Sequence, residues 1–438
     1  MSTIAPISGF PEYSPAQRIV EQRFLDVIRQ TFELHGFASI ETRSIEPIER
    51  LRSQGEDADK EIYGVSRLAG DESAKWGLHF DLTVPFARYV LENAGTLNFP
   101  FRRYQIQKSW RGERPQEGRY REFTQADIDV VDAGTLAPHF EAEMPLVIAD
   151  VFERFPIGDF VIRVNNRKLL SGFYAGIGIT DVQETLRTVD KLDKIGPDAV
   201  RELLMARGLS NEQADACLRL AQIATPDTSF VEQVRALGVE HPLLEEGIAD
   251  LTRVVEIAAA NIPGRVVADL RIARGLDYYT GTVYETQLVG REAWGTIVGG
   301  GRYDALASDG KTTYPGVGIS IGVTRILGLL FAAGELTASR ATPSAVLVAV
   351  TDEEGRAQAT QVATALRARG IACEVSPSAD KFGKQIRYAD RRGIPYVWFA
   401  REDGDEVKDI RSGEQVAADA ATWAPPAADL RPTVNRTG

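Results

Sequence analysis

A chain of 438 residues exceeds what a single hydrophobic core organises, so roughly two to four domains are expected. With 44% hydrophobic and 26% charged residues and a formal net charge of −12, it reads as globular, and the charge excludes a protein that coats nucleic acid by bulk attraction. The two cysteines, Cys217 and Cys373, stand far apart and exclude a disulfide framework and a cysteine zinc site. The absence of a long apolar run and of a signal-peptide pattern at Met1 to Phe10 leads to an expected cytoplasmic protein with no membrane partner.

Ser14-Pro15-Ala16-Gln17 opens the first helix as a capping box with proline at the first helical position. Val20, Phe24, Ile28 and Phe32 then repeat at four-residue spacing until Gly36. A strand is expected over 37–41 and a mobile polar loop over Ser53 to Lys60. Trp76 to Tyr89, Tyr104 to Lys108 and Phe123 to Val131 read as strands, and Pro138 to Phe155 as a helix. From Asp181 to about Ala260, leucines at helical spacing predict a helical insertion. Strand character resumes over Val266 to Val298, and Ser320 to Ala333 reads as a helix.

Thr337 to Thr342 reads as a linker. Beyond it, strands over 345–350, 371–375 and 396–400 alternate with helices over 356–369 and 382–392, which predicts a small, mostly parallel sheet. Arg411-Ser412-Gly413-Glu414 supplies a hairpin turn, and the tail from Pro425 is expected to be disordered.

The richest segment is Arg274-Gly275-Leu276-Asp277-Tyr278-Tyr279-Thr280-Gly281-Thr282-Val283-Tyr284-Glu285, which sets a fixed cation, three phenols and two carboxylates in a strand. Strict alternation would place Tyr278, Thr280, Thr282 and Tyr284 on one face and Tyr279, Gly281, Val283 and Glu285 on the other. An ordinary half-buried strand accounts for tyrosines alone. Arg274 beside Asp277 points further, to an anionic ligand, because a guanidinium is rarely buried without a partner.

Two phosphate-binding loops are absent. Gly310-Lys311-Thr312 lacks the first P-loop glycine, which falls on Ala305, and Gly316-Val317-Gly318 is followed by Ile321 where a dinucleotide fingerprint needs glycine. A nucleotide here would be gripped by arginines. Trp110-Arg111-Gly112-Glu113-Arg114-Pro115-Gln116-Glu117-Gly118-Arg119-Tyr120-Arg121 reads as two strands joined by a loop, with Arg111 outward bound and Arg121 returning. Arg325 follows Gly316 to Gly322. Basic residues also cluster at Arg102, Arg103, Lys108, Arg111, Arg114, Arg119 and Arg121, and at Lys381, Lys384, Arg387, Arg391 and Arg392.

The stretches Arg111 to Gln125, Arg274 to Glu285, Gly299 to Asp304 and Gly316 to Arg325 together resemble the histidyl-tRNA synthetases, class II aminoacyl-tRNA synthetases, over roughly residues 5–420. The resemblance implies an α+β catalytic domain on an antiparallel class II sheet (1–180 and 263–336), a helical insertion domain (181–262) and a C-terminal α/β anticodon-binding domain (343–424). It implies a homodimer that activates L-histidine with ATP and Mg2+ and charges tRNA(His).

Residue by residue, the resemblance places Arg111 and Arg274 at the ATP α-phosphate, Arg325 at the γ-phosphate, Glu113 near adenine and Arg121 along the phosphate side. Asp81, Thr83 and Gln125 would hold the α-amino end of histidine, and Asp129 and Tyr279 its imidazole, with Tyr278 close by. Lys381, Lys384 and Arg387, interleaved with aromatics, would contact tRNA by the stacking and base-edge logic of single-stranded RNA recognition. No resident metal site is implied. Imidazole offers a donor and an acceptor on opposite edges, so a carboxylate and a phenol can read both and reject other amino acids without an editing domain.

Two departures stand out. Glu41-Thr42 is followed by Arg43 where the first class II motif usually has proline, the nearest being Pro47, and Asp129 stands where some family members carry Glu. The rival reading is a catalytically silent paralogue, such as the regulatory subunit of ATP phosphoribosyltransferase; such paralogues generally lack the anticodon-binding domain and the arginine-rich motif kept here. A threonine or proline synthetase fails on Leu276 to Tyr279 and on the absent editing module.

Overall fold

Ser14 and Gln17 close the expected capping box, with the Ser14 N–H donating to Gln17 Oε1 at 2.9 Å, and the helix Pro15–Leu34 buries Val20, Phe24, Ile28 and Phe32 completely. A computed structural model describes residues 5–52, 61–69, 74–274, 278–401 and 403–437. The loop expected over Ser53 to Lys60 lies outside them, as do Gly275, Leu276 and Asp277. The chain forms two units: Met1–Pro11 with Val27–Leu329, and Glu12–Asp26 with Leu330–Gly438.

The first unit is built on a nine-stranded sheet. Its order is Ala38–Ser39, Phe101–Trp110, Glu122–Val131, Gly316–Gly322, Val298–Tyr303, Tyr279–Leu288, Phe160–Asn166, Val266–Asp269 and Ala224–Thr225. The pairings from Phe101–Trp110 through Phe160–Asn166 are all antiparallel. Parallel pairs occur where Ala38–Ser39 joins Phe101–Trp110 and where Phe160–Asn166 joins Val266–Asp269. Strands from opposite ends of this unit's sequence thus become neighbours, Glu122–Val131 beside Gly316–Gly322. Over 181–262 the chain forms the helices Val182–Val189, Leu192–Ala206, Asn211–Ala221, Phe230–Arg235 and Pro242–Asn261, the last packed on Arg167–Gly176.

Three expected elements differ. Only Trp76–Leu78 of the segment read as strand is extended, because Asp81 Oδ1 accepts the Val84 N–H at 3.1 Å and starts the helix Thr83–Asn93. Gly316–Gly322 is a strand, paired on both edges, and the helix begins only at Val323. Tertiary pairing outweighs the leucine and isoleucine spacing there. The alternation expected over Tyr278 to Glu285 also breaks: the register shifts between Tyr279 and Val283, and the Tyr278 and Tyr279 rings touch, with centroids 4.6 Å apart.

The second unit carries a five-stranded sheet in the order Cys373–Val375, Val346–Ala349, Tyr396–Phe399, Glu406–Asp409, Gln415–Ala417, the first three parallel and the last two antiparallel. Val346 and Val348 pack with Ala359, Ala363 and Leu366 of the helix Arg356–Ala368. Leu347 and Ala349 pack with Ala389 and Ile386 of the helix Phe382–Arg392, so strand periodicity puts a core on each face. The tail is ordered, contrary to expectation. Val434–Arg436 pairs with Leu336–Ala338, part of which was read as linker, and Asp429 binds Tyr396 Oη at 2.8 Å and Arg411 Nη2 at 2.8 Å. A part-exposed polar anchor and a strand edge hold a segment that hydropathy alone leaves unplaced.

Candidate active site

Antiparallel register arranges one face of the large sheet into cross-strand rows. Arg103, Asp129, Gly318, Gly301 and Val283 stand opposite one another in one row, and Gln105, Asp127, Ser320, Gly299 and Glu285 in the next. Gln107, Gln125 and Gly322 form the third. Strand residues two apart share a face, so Gln125, Asp127 and Asp129 look the same way. Thr83, Asp127, Asp129, Tyr279, Gly299 and Gly318 are among the residues lining a small pocket on this face.

Two glycines make room for its charges. A Cβ at Gly299 would fall 1.7 Å from Arg274 Nη1, and a Cβ at Gly318 would fall 2.1 Å from Asp129 Oδ1. Arg274 also donates from Nη1 to the Tyr284 carbonyl at 3.3 Å, lies 3.7 Å from Glu285 Oε1 and faces the Tyr279 ring at 5.8 Å from its centroid. Burial opposes its charge, but the neighbouring Tyr279, Glu285 and Tyr278 raise its pKa overall. Among the described residues it is the one non-glycine with a positive φ, 51°, so its backbone is held in the left-handed region against its own preference.

The acidic end is more deeply buried. Asp129 Oδ1 accepts the Tyr303 hydroxyl at 2.7 Å and Oδ2 pairs with Arg103 Nη2 at 2.5 Å, the Arg103 residue being wholly inaccessible. Burial pushes Asp129 up to about 6, opposed by Arg103 and the Tyr303 hydrogen bond, and pushes Asp127 up to about 7, opposed by Arg103 and the Ser320 hydroxyl. Asp81 is raised by burial too, against the Val84 N–H and the Arg111 charge. Gln125 Nε2 donates to Ser320 Oγ at 2.7 Å.

The remaining predicted residues form an adjoining cluster. Arg111 Nε donates to the Phe80 carbonyl at 3.0 Å and its guanidinium lies over Phe123, 5.3 Å from the centroid. The Arg111 N–H donates to the Arg121 carbonyl at 2.9 Å, as two strands joined by a loop require. Arg121 Nε donates to the Glu113 carbonyl at 3.1 Å, while the Glu113 carboxylate lies 3.8 Å from Arg111 and 3.5 Å from Arg119. Arg325 Nη2 donates to the Trp294 carbonyl at 2.5 Å. Burial and then Arg119 lower its pKa, against the pull of Glu113 and Glu285. Glu285 is the electrostatic neighbour that Arg274 and Arg325 share.

Sequence reasoning missed Arg103, Asp127 and Tyr303 as members of the site. The alternation Gln125-x-Asp127-x-Asp129 in a strand was the available signal for Asp127. Arg103 was placed in a basic patch that the fold disperses, with Arg102 on Glu143, Lys108 on Glu122 and Arg103 inside. In the second unit Lys381, Lys384 and Arg387 are exposed, as a contact surface needs, but the interleaved aromatics are engaged. Phe382 packs edge-on against Phe399, and Tyr388 bonds Glu374.

A mainly antiparallel sheet whose polar rows line a pocket, with Arg274 against Gly299 and Arg103 on Asp129, together with a second unit of α/β build, is the arrangement of a class II aminoacyl-tRNA synthetase. A family model described as histidyl-tRNA synthetase matches residues 9–326 and one described as an anticodon binding domain matches 344–417. The chain is 60% identical to the histidine–tRNA ligase of Micrococcus luteus, over 100% of this chain and 99% of the relative. It superposes on the crystal structure of histidyl-tRNA synthetase from Nostoc sp. PCC 7120 with a TM-score of 0.86 at 36% identity, covering 96% of this chain and 98% of that one. A solved ATP phosphoribosyltransferase regulatory subunit/histidyl-tRNA synthetase from Bacillus halodurans, 18% identical with a TM-score of 0.74 over 88% of this chain and 96% of that one, shares the fold alone. The chain belongs to the histidyl-tRNA synthetase family, and its activity is that of a histidine–tRNA ligase rather than of the regulatory paralogue.

Proposed function

We propose that histidine lies on the rows of the large sheet, its ammonium held by Asp81, Thr83 and Gln125 and its imidazole read by Asp129 and Tyr279, with Tyr278 flanking. Arg111 and Arg274 grip the ATP α-phosphate, Arg325 the γ-phosphate, Glu113 the adenine end and Arg121 the phosphate side. A carboxylate oxygen of histidine attacks the α-phosphorus, the bond from that phosphorus to the β-bridging oxygen breaks, and pyrophosphate leaves. The charge that builds on the phosphoryl oxygens meets cations already fixed in place. A terminal ribose hydroxyl of tRNA(His) then attacks the activated carbonyl and AMP departs.

The seating of Arg274 carries this reading: its guanidinium occupies the space a Gly299 side chain would fill, beside Tyr279 and on the face that bears Gln125 and Asp129. Mg2+ would accompany ATP as part of the substrate and would offset phosphate charge. Among the described residues no group of three or more His, Cys, Asp or Glu could hold a metal ion of its own. Lys381, Lys384 and Arg387 contact the tRNA. The working form is a cytoplasmic homodimer, with catalytic segments 1–180 and 263–336 and an insertion over 181–262.

Histidine-dependent exchange between ATP and pyrophosphate, followed by charging of tRNA(His), tests the reading. Exchange should require histidine. Exchange no higher than in a control without amino acid would overturn it.

A further inference from the structure

Asp127 belongs to no role assigned above, yet it is 2% exposed and lines the pocket. On its strand it stands between Gln125 and Asp129 on one face, at the junction of the two ends assigned to the substrate. The Ser320 hydroxyl, which accepts from Gln125 Nε2, donates to the Asp127 carboxylate. Its Oδ1, however, is buried with no hydrogen-bond partner among the described residues. A buried carboxylate oxygen without a donor is costly to keep, and the fold keeps it facing a cavity.

The charge balance says which kind of group would complete it. Asp81, Asp127 and Asp129 share one electrostatic neighbourhood, and among the described residues the one wholly buried cation beside them, Arg103, gives Nη2 to Asp129 while its Nε and Nη1 reach no acceptor, Asp127 Oδ1 included. Gln105, opposite Asp127 in the same row, is neutral. The face is therefore short of positive charge. Of the amino acid's groups at neutral pH, the ammonium alone is a permanent cation with several donors.

We infer that Asp127 is a substrate-binding residue that takes the α-ammonium of the amino acid at Oδ1 in a charge-assisted hydrogen bond, alongside Asp81, Thr83 and Gln125. The inference rests on the reading of the site given above. It extends that reading by assigning the second carboxylate of the Gln125-x-Asp127-x-Asp129 run to the backbone end of the substrate rather than to its ring.

Two histidine analogues separate the ends: L-histidinol keeps ammonium and imidazole but lacks the carboxylate, and imidazolepropionate keeps the ring and lacks the ammonium. Titration calorimetry on the full chain should show Asp127→Asn weakening histidinol about tenfold or more, as loss of a charged hydrogen bond does, with imidazolepropionate changed less than about twofold. Asp127→Ser serves if the amide disturbs folding, with the same expectation. Equal weakening of both analogues, or weakening of neither, overturns the inference. The underlying site reading fails separately, by Asp129→Asn leaving both analogues unaffected.

Discussion

The two sheets solve opposite problems. In the five-stranded sheet both faces are apolar, Val346 and Val348 turned one way and Leu347 and Ala349 the other, and its exposed cations sit on a helix surface. In the nine-stranded sheet one face buries Arg103, Asp127, Asp129 and Gln125, groups that leave water at a cost. The first arrangement buries apolar surface on both sides, and the second buries charges that need partners. The contrast teaches that a polar row across three neighbouring strands is the mark of the candidate site, even where its members are scattered from residue 103 to residue 320.

If that contrast is right, substitutions on the polar face should damage chemistry far more than fold. Arg274→Ala should lower the rate of histidine-dependent exchange by on the order of a hundredfold or more, as removal of a fixed electrostatic partner of the transition state does. Near-normal turnover would remove it from the reaction. Gly299→Ala should follow, with a fall of roughly tenfold to a hundredfold, because the new methyl claims the position of Arg274 Nη1, 1.7 Å away, and displaces the guanidinium. The urea midpoint of the variant should stay close to that of the parent chain. A large loss of midpoint with unchanged exchange would mean that the glycine serves packing only.

The buried carboxylates give the same face a pH signature. Asp127 and Asp129 titrate near 7 and 6 in the folded chain, against an ordinary carboxyl value of 3.8, so the native state binds protons more tightly than the unfolded one. Their contribution to stability is full below about pH 4 and is lost as pH rises through 6 and 7. Arg103, Asp81, Tyr303 and Ser320 face these groups and set the balance. Hydrogen exchange in the Glu122–Val131 peptide of the ligand-free chain should therefore be more protected at pH 5.5 than at pH 8, after correction for intrinsic rates. Asp127→Asn should flatten the difference. An unchanged slope would show that other groups produce it.

Much of this fold was legible because local signals and tertiary structure agree. The capping box at Ser14, the apolar run at 345–350 and the turn at Gly413 each have one local answer, and the second unit's helices matched theirs. The grouping of Arg274 with Tyr279 was legible because such chemistry is rare in sequence. The candidate site was not legible where meaning arises across strands. Nothing near Arg103 indicates that it will face Asp129, since register alone brings them together. Nor does anything near Gly299 announce an arginine from residue 274 above it. The tail misled for a related reason: its partner strand, Leu336–Ala338, lies about a hundred residues earlier.

The apolar sheet supplies the smaller predictions. Lys384→Glu with Arg387→Glu on the exposed face of the helix Phe382–Arg392 should raise KM for tRNA several-fold at moderate salt and leave exchange untouched, since phosphate contacts weaken with charge and ionic strength. An equal loss in exchange would sever that helix from tRNA. Smallest of all is Gly383→Ala in the first turn of the same helix. Nothing lies within 4 Å of the position its methyl would take, and its φ is not in the left-handed region, so alanine adds no clash. The change should raise stability by roughly 0.5–1 kcal/mol through lower unfolded-state entropy, read as a higher urea midpoint with exchange unaltered. Set beside Gly299→Ala, it divides glycines kept for a ligand from glycines that are merely tolerated. If both variants lost exchange, the distinction between the two sheets would collapse.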